Sequence, residues 1–295
     1  MTQLVELQQV VNELRTSGYE PFAISNDPVQ RLRDFSDKYG ITYPLLSDED
    51  SGVIRRFGIL NTLIRPDEGR SMRWYGIPYP GTYFVDHSGI IVDKDFHQHH
   101  ARRASGRSLL HRALGTVPPL APGKCNSSAT TSEVELQVYL ADEALKLEVI
   151  STLVCRVTVC EGRHIYAPGA PEGFTPARIA VTGPGIRAGD PIWPDARQLA
   201  MPLLKLTAPV FEDAFAVVVP LTATSDVIRL GHGLESTHVA VRVDCDFQSC
   251  DEDSCSLPQR VGVDVRLPLA TLVEPEGIQV YVERVRGSTG SIERG

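Results

Sequence analysis

Apolar residues follow two different periods along this chain. In residues 3–17, Leu4, Leu7, Val10, Val11 and Leu14 recur three or four apart and Gly18 follows, which predicts an amphipathic helix with a stop. Pro21-Phe22-Ala23-Ile24-Ser25 is a short apolar run, read as a buried strand. Asn26-Asp27-Pro28 offers a cap with proline at the first helical position, and Leu32, Phe35 and Tyr39 carry that helix to Gly40. A strand over Tyr43–Leu46 and a short helix over Asp48–Phe57, with Val53, Ile54 and Phe57 on one face, come next. Strands Thr82–Val85 and Ile90–Val92 flank the turn Asp86-His87-Ser88-Gly89, and a last helix spans Arg102–Leu114. Helix and strand alternate, so this part is expected to be an α/β layer structure.

After Glu133 the period changes to two. Val134, Leu136, Val138 and Leu140 alternate with polar residues, and Leu145, Leu147 and Val149 repeat the pattern. Further runs at Arg178–Thr182, Phe215–Leu221, His238–Phe247, Gly262–Leu267 and Gly277–Val285 are separated by proline- and glycine-rich turns. Many short strands without a helical period predict an all-β sandwich. Residues 116–132 (TVPPLAPGKCNSSATTS) are rich in Pro, Ser and Thr and read as a linker. The expected organisation is therefore 1–115 α/β, 116–132 linker, 133–274 sandwich, and 275–295 a last strand with the C-terminal tail.

Composition sharpens this division. The 295 residues are 42% hydrophobic and 22% charged, an ordinary globular balance. Net charge is −8, and since residues 1–120 hold 14 basic and 14 acidic side chains, the whole excess lies in the second part. That sign argues against a nucleic-acid partner. No apolar run approaches the ~18–20 residues of a membrane span. The start lacks a basic stretch followed by an apolar one, so the chain as written is expected in the cytoplasm. All six cysteines, Cys125, Cys155, Cys160, Cys245, Cys250 and Cys255, fall after residue 124.

The segments "LVELQQVVNEL", "PFAISND", "YPLLSDED", "VIRRFGI" and "IPYPGTYFVDHSGII", in this order and spacing, resemble the AhpC/TSA redoxin family, peroxiredoxin-like proteins of thioredoxin fold. The resemblance implies a redox cysteine at the start of the helix that begins near Gln3, where backbone N–H groups and the helix dipole stabilise a thiolate. Only Met1 and Thr2 precede that helix here. Two explanations are open: a start site placed too far downstream, which is the expectation, or a degenerate domain that binds or scaffolds. As written, residues 1–115 cannot perform peroxidase chemistry with a cysteine of their own. Pro80, just before the strand Thr82–Val85, matches the family's cis-proline facing the active site. His97, His99 and His100 admit a metal site, but their plainer reading is a polar lead into the last helix, and no metal or other cofactor is expected. Arg102-Arg103 reads as a solvated helix face.

The second part carries Cys250 and Cys255 in a loop of four intervening polar residues, Asp251 to Ser254, with Pro258 following. A turn of this length lets two thiols close a disulfide. Loop entropy contributes little to so short a ring, which favours an exchangeable bond over a staple. The block Phe247-Gln248, Cys250, Asp251, Cys255 and Pro258, with the earlier stretch "GRHIYAPGAPEGFTPARIAV", resembles the N-terminal immunoglobulin-like domain of DsbD-type thiol–disulfide interchange proteins. The resemblance implies that Cys250 and Cys255 cycle between dithiol and disulfide with a redox partner protein, thioredoxin-like or a membrane reductase. It also suggests an oxidising envelope compartment if the chain extends upstream. Asp251, Glu252 and Asp253 are expected to disfavour thiolate formation. Cys155 and Cys160 have opposite strand parity, Cys245 points into the core, and a zinc site from Cys245, Cys250 and Cys255 lacks short Cys-x-x-Cys spacing. The leading expectation is a two-domain thiol–disulfide oxidoreductase, peroxiredoxin-like and antioxidant. Its alternative is a non-enzymatic scaffold with structural cysteines.

Overall fold

The computed structural model describes residues 2–65, 74–97, 102–120, 126–202, 205–227 and 238–270. The expected strand Gly277–Val285, the tail, Cys125, His99 and His100 lie outside these residues.

Helix α1 (Thr2–Thr16) buries Val10, Val11 and Leu14, as its spacing requires. Val11 meets Ile41 and Tyr43, whose hydroxyl donates to the Leu4 carbonyl at 2.8 Å. Strand β1 (Ala23–Ser25), helix α2 (Val29–Tyr39) and strand β2 (Leu45–Ser47) form a parallel unit with Ile24 opposite Leu46. Pro28 stands at the N-cap of α2, one position earlier than expected, and no side chain caps the helix there. Gly40 ends α2 with φ 62°, a left-handed conformation that glycine adopts without a Cβ penalty.

The short helix α3 (Gly52–Arg56) starts on the carboxylate of Asp48, which accepts from Val53 N at 3.1 Å and Ile54 N at 2.8 Å. Of the three residues expected on its packed face, only Ile54 is buried; Val53 and Phe57 are exposed. Strands β3 (Gly81–Val85) and β4 (Ile91–Phe96) form an antiparallel hairpin, its turn held by Asp86 Oδ1 accepting from Ser88 N and Ile90 N. Among the described residues β1–β2 and β3–β4 are separate two-stranded sheets.

The expected last helix divides. Arg103–Ala104 form strand β5, and helix α4 runs only over Gly106–Leu114, with the Ser105 side chain accepting from Ser108 N at its start. A serine just ahead of the apolar period is a cap, so the residues before it stay extended. Leu110 of α4 packs on Val10 and Leu14 of α1. The two elements approach closely at Gly106, where a Cβ would stand 2.4 Å from the Glu6 carbonyl oxygen.

The sandwich begins earlier than composition suggested. Asn126–Thr130, placed in the linker by its polar residues, is strand β6, pairing antiparallel with β7 (Val134–Leu140). Among the described residues it is an edge strand with one neighbour, so an apolar sequence is not required of it. One sheet runs β12 (Ile186–Ala188), β15 (Ala214–Ala223), β9 (Val149–Val159), β7, β6. The facing sheet runs β11 (Arg178–Thr182), β16 (His238–Phe247), β18 (Gln259–Ala270), β8 (Leu145–Lys146). Leu136, Val138 and Val157 from the first and Val241, Val243 and Val265 from the second share one core.

The two parts are joined. Strand β5 pairs in parallel with the start of β9, Arg103 opposite Val149. Lys146 forms an ion pair with the buried Glu6 of α1, and Ser108 Oγ lies 2.8 Å from Thr152 Oγ1. Arg102 and Arg103 therefore stand at the junction and not on a solvated helix face: Arg102 is 3.7 Å from Glu148, and burial lowers the pKa of Arg103.

Candidate functional site

A third, four-stranded sheet holds the cysteine pair. Its order is β13 (Arg197–Met201), β14 (Leu206–Phe211), β10 (His164–Tyr166), β17 (Ser249–Cys250). Neighbouring residues of β10 face opposite ways: Ile165 joins the main core, while Tyr166 joins Ala208, Val210 and Cys250 in a separate cluster. In the antiparallel register His164 lies directly opposite Cys250.

Cys250 and Cys255 are joined in a disulfide. The two sulfurs stand in different surroundings. Cys250 is 1% exposed, under Tyr166 and Phe174, whereas Cys255 is exposed at the surface beside Leu257, which is 84% exposed. The Tyr166 hydroxyl lies 4.0 Å from Cys255 Sγ, and the ring stacks at a tilt on Phe174 with 4.5 Å between centroids.

The loop between the cysteines is held from both sides. Asp251 Oδ1 accepts from Asp253 N at 3.0 Å and Ser254 N at 2.7 Å. Arg163, at the entry to β10, donates to Ser249 Oγ (2.7 Å), Asp251 Oδ2 (3.0 Å), the Ser249 carbonyl (3.2 Å) and Ser256 Oγ (3.0 Å). Glu133 receives Ser256 Oγ and Gln259 Nε2 (2.7 Å). The backbone N–H groups of Asp253 and Ser254 hold the Asp251 carboxyl below the usual carboxylate range despite some desolvation, and Arg163 adds to this. The acidic run is thus not a bare negative cluster beside the sulfurs: its nearest member is matched by a guanidinium. Burial raises the Tyr166 phenol and lowers the His164 imidazole.

The remaining cysteines differ in burial. Cys155 is buried on β9 and Cys160, one residue past the end of that strand, is exposed, while Cys245 is buried on β16. Burial pushes the Cys245 thiol up to about 12 and the Cys155 thiol well above its usual range. Cys245 sits in the sandwich core, while Cys250 belongs to the third sheet's cluster, and no metal-binding group occurs among the described residues. His97 is paired with Asp95 at 3.2 Å.

Pro80 is not part of this constellation. It is buried in the N-terminal part ahead of β3, and no cis peptide bond occurs among the described residues, so the expected cis-proline is trans. The neighbouring polar groups are already paired, Tyr79 N donating to the Ile59 carbonyl at 2.7 Å and His97 N to that of Pro80 at 2.9 Å. Sequence reasoning missed Arg163 and Glu133, which lie 86 and 123 positions from the serines they hold. Arg163 immediately precedes the strand that carries His164, and that adjacency was the only available signal.

Residues 1–94 match the AhpC/TSA family. Among curated proteins, "Putative peroxiredoxin bcp" of Coxiella burnetii is 30% identical over 88 residues, 28% of this chain and 52% of that protein. "Putative peroxiredoxin Rv2521" of Mycobacterium tuberculosis is 30% identical over 94 residues, 30% of this chain and 54% of that protein. The chain thus spans about half the length of the curated relatives it matches. Among solved structures, the N-terminal periplasmic domain of ScsB from Proteus mirabilis gives a TM-score of 0.33 at 12% identity, covering 55% of this chain and 58% of that one. Residues 1–94 are therefore an AhpC/TSA redoxin domain, thioredoxin-like in class, joined to an all-β region that carries the cysteine pair.

Proposed function

We propose that this protein is a thiol–disulfide oxidoreductase whose exchanging pair is Cys250 and Cys255, working with a dithiol-bearing protein partner. The observation that carries this is the asymmetry of the pair, one sulfur at the surface and one buried. An incoming thiolate needs a clear approach to the sulfur it attacks, and Cys255 offers it. The partner thiolate bonds to Cys255 Sγ, the Cys250–Cys255 bond breaks, and its electron pair stays on Cys250. The partner's second thiol then attacks the mixed disulfide and releases Cys255. Two electrons pass from the partner dithiol to this pair, and the same steps run in reverse.

The test uses single variants of the full chain. In Cys250→Ser, Cys255 remains able to attack a partner disulfide but nothing resolves the product, so mixed disulfides accumulate; Cys255→Ser traps none. Insulin reduction falls to background in both. Wild-type activity in both variants overturns the exchange role.

The clamp made by Arg163 and Glu133 favours a second reading, a structural bridge in a non-enzymatic scaffold. The reduction potential separates them. Structural bridges lie below about −300 mV, and a value near or above about −250 mV supports exchange.

A further inference from the structure

His164 is 8% exposed, and its Nε2 has no hydrogen-bond partner. A buried polar atom without a partner is costly and calls for a reason. Its position supplies one. His164 and Cys250 are directly opposed on adjacent antiparallel strands, so their Cβ atoms lie about 4.5–5.5 Å apart on the same face. Tyr166, two residues on, shares that face and meets the imidazole edge-on with 5.4 Å between ring centroids.

The charges around the ring are held in ion pairs, Arg163 also lying 3.6 Å from Glu133. Arg163 from its own strand's entry is bonded to Asp251 of the cysteine loop at 3.0 Å. Arg197 of β13 is bonded to Glu212, after β14, at 3.0 Å. Among the described residues Arg163, Asp251, Arg197 and Glu212, with the Tyr166 phenol and the two cysteines, are the titratable and charged groups that act on it. Burial is the largest influence and lowers the imidazole pKa, which favours the neutral ring with a single ring N–H.

We propose that His164 stabilises the thiolate that Cys250 becomes when the disulfide opens, its Nε2–H donating to that sulfur. In the disulfide Cys250 Sγ is a poor acceptor, and Nε2 stays unpaired. Once a partner thiolate has bonded to Cys255 Sγ, the electron pair left on Cys250 makes it a charged acceptor in a buried site, where such a bond is strong. His164 transfers no electron and loses no proton in this step. It acts as a positioning residue that lowers the cost of the leaving group and stabilises the reduced form. This rests on the exchange reading above and deepens it.

The test is the midpoint potential of the Cys250–Cys255 pair, titrated in the full chain against glutathione and dithiothreitol buffers. His164→Phe keeps a buried ring but no donor. It is expected to shift the equilibrium tenfold toward the disulfide, about 30 mV more negative for two electrons. His164→Gln keeps an N–H and is expected to recover most of the shift. A Phe variant with the wild-type potential, or a Gln variant shifted as far as Phe, overturns the proposal.

A second measurement needs no substitution. In wild-type protein carrying 15N-histidine, the His164 Nε2–H signal should move on reduction of the pair, and an unmoved signal overturns the proposal. Both readouts report on the pair itself, so they are independent of the insulin assay that tests the exchange reading.

Discussion

The sandwich and the redoxin part bury their apolar residues in contrasting ways. In the sandwich, two facing sheets and the inner face of a third contribute to one continuous core, with Leu136, Val157 and Phe247 fully enclosed. In the redoxin part the apolar clusters are two small ones packed on α1, and the short strands stay partly open, Ile24 at 38% and Leu46 at 47% exposure. In a large shared core each enclosed side chain is costly to remove. Small clusters depend on what they lean against, and here α1 and α4 lean on the sandwich through Glu6, Lys146 and β5.

The largest expected effect tests the two cores directly. Phe247→Ala should destabilise the protein by about 3–5 kcal/mol, because it removes a fully buried ring from a packed sheet interface. Leu46→Ala should cost under about 1 kcal/mol, since the side chain already meets water. Urea unfolding of both variants measures the difference; equal losses would break the comparison.

A smaller effect is expected at the junction. Lys146→Ala leaves the Glu6 carboxylate buried without its cation, for a loss of about 3 kcal/mol. Calorimetry should then show the redoxin part unfolding ahead of the sandwich. A single unshifted transition would mean that the ion pair does not couple them.

The smallest effect concerns acid. Asp48 is opposed by its own desolvation, yet the N–H groups of Ile54, Val53 and Gly52, with Asp50, hold its pKa below the usual value. A carboxyl lowered on folding contributes stability that is complete above its unfolded pKa of about 3.9 and is lost as pH falls through the folded value. Asp48→Asn should therefore cost about 1 kcal/mol at pH 7, as a lost N-terminal cap does, and this cost should vanish as pH falls through the folded pKa of Asp48. Unfolding of wild type and variant across pH 2–7 checks this; curves that stay parallel would remove Asp48 from the account.

The cysteines repeat the contrast on a smaller scale. Cys155 and Cys245 are enclosed in the apolar core, where burial pushes both thiols up and leaves little thiolate. Cys255 stands in the open, joined to a buried partner opposite a histidine. Location within the fold, and not the residue type, separates the enclosed thiols from the disulfide-bonded pair.

Much of this was legible in the chain. The alternation in His238–Phe247 gave β16 with its observed bounds and placed Cys245 inside. The helical spacing of Val10, Val11 and Leu14 and the cap at Gly40 were equally clear. These are local features, because a strand or helix imposes its period on whichever residues build it.

The choice of neighbour is not local. Arg103–Ala104 became a strand because β9 offered it a parallel partner, and the polar Asn126–Thr130 did so because β7 lay beside it. The meeting of Arg163 with the cysteine loop, and of His164 with Cys250, required a chain reversal of more than eighty residues to be closed. The sequence by itself determined which residues turn inward, since that depends on spacing. Only the tertiary structure decided what they meet there, since contacts between distant segments are set by how whole sheets pack.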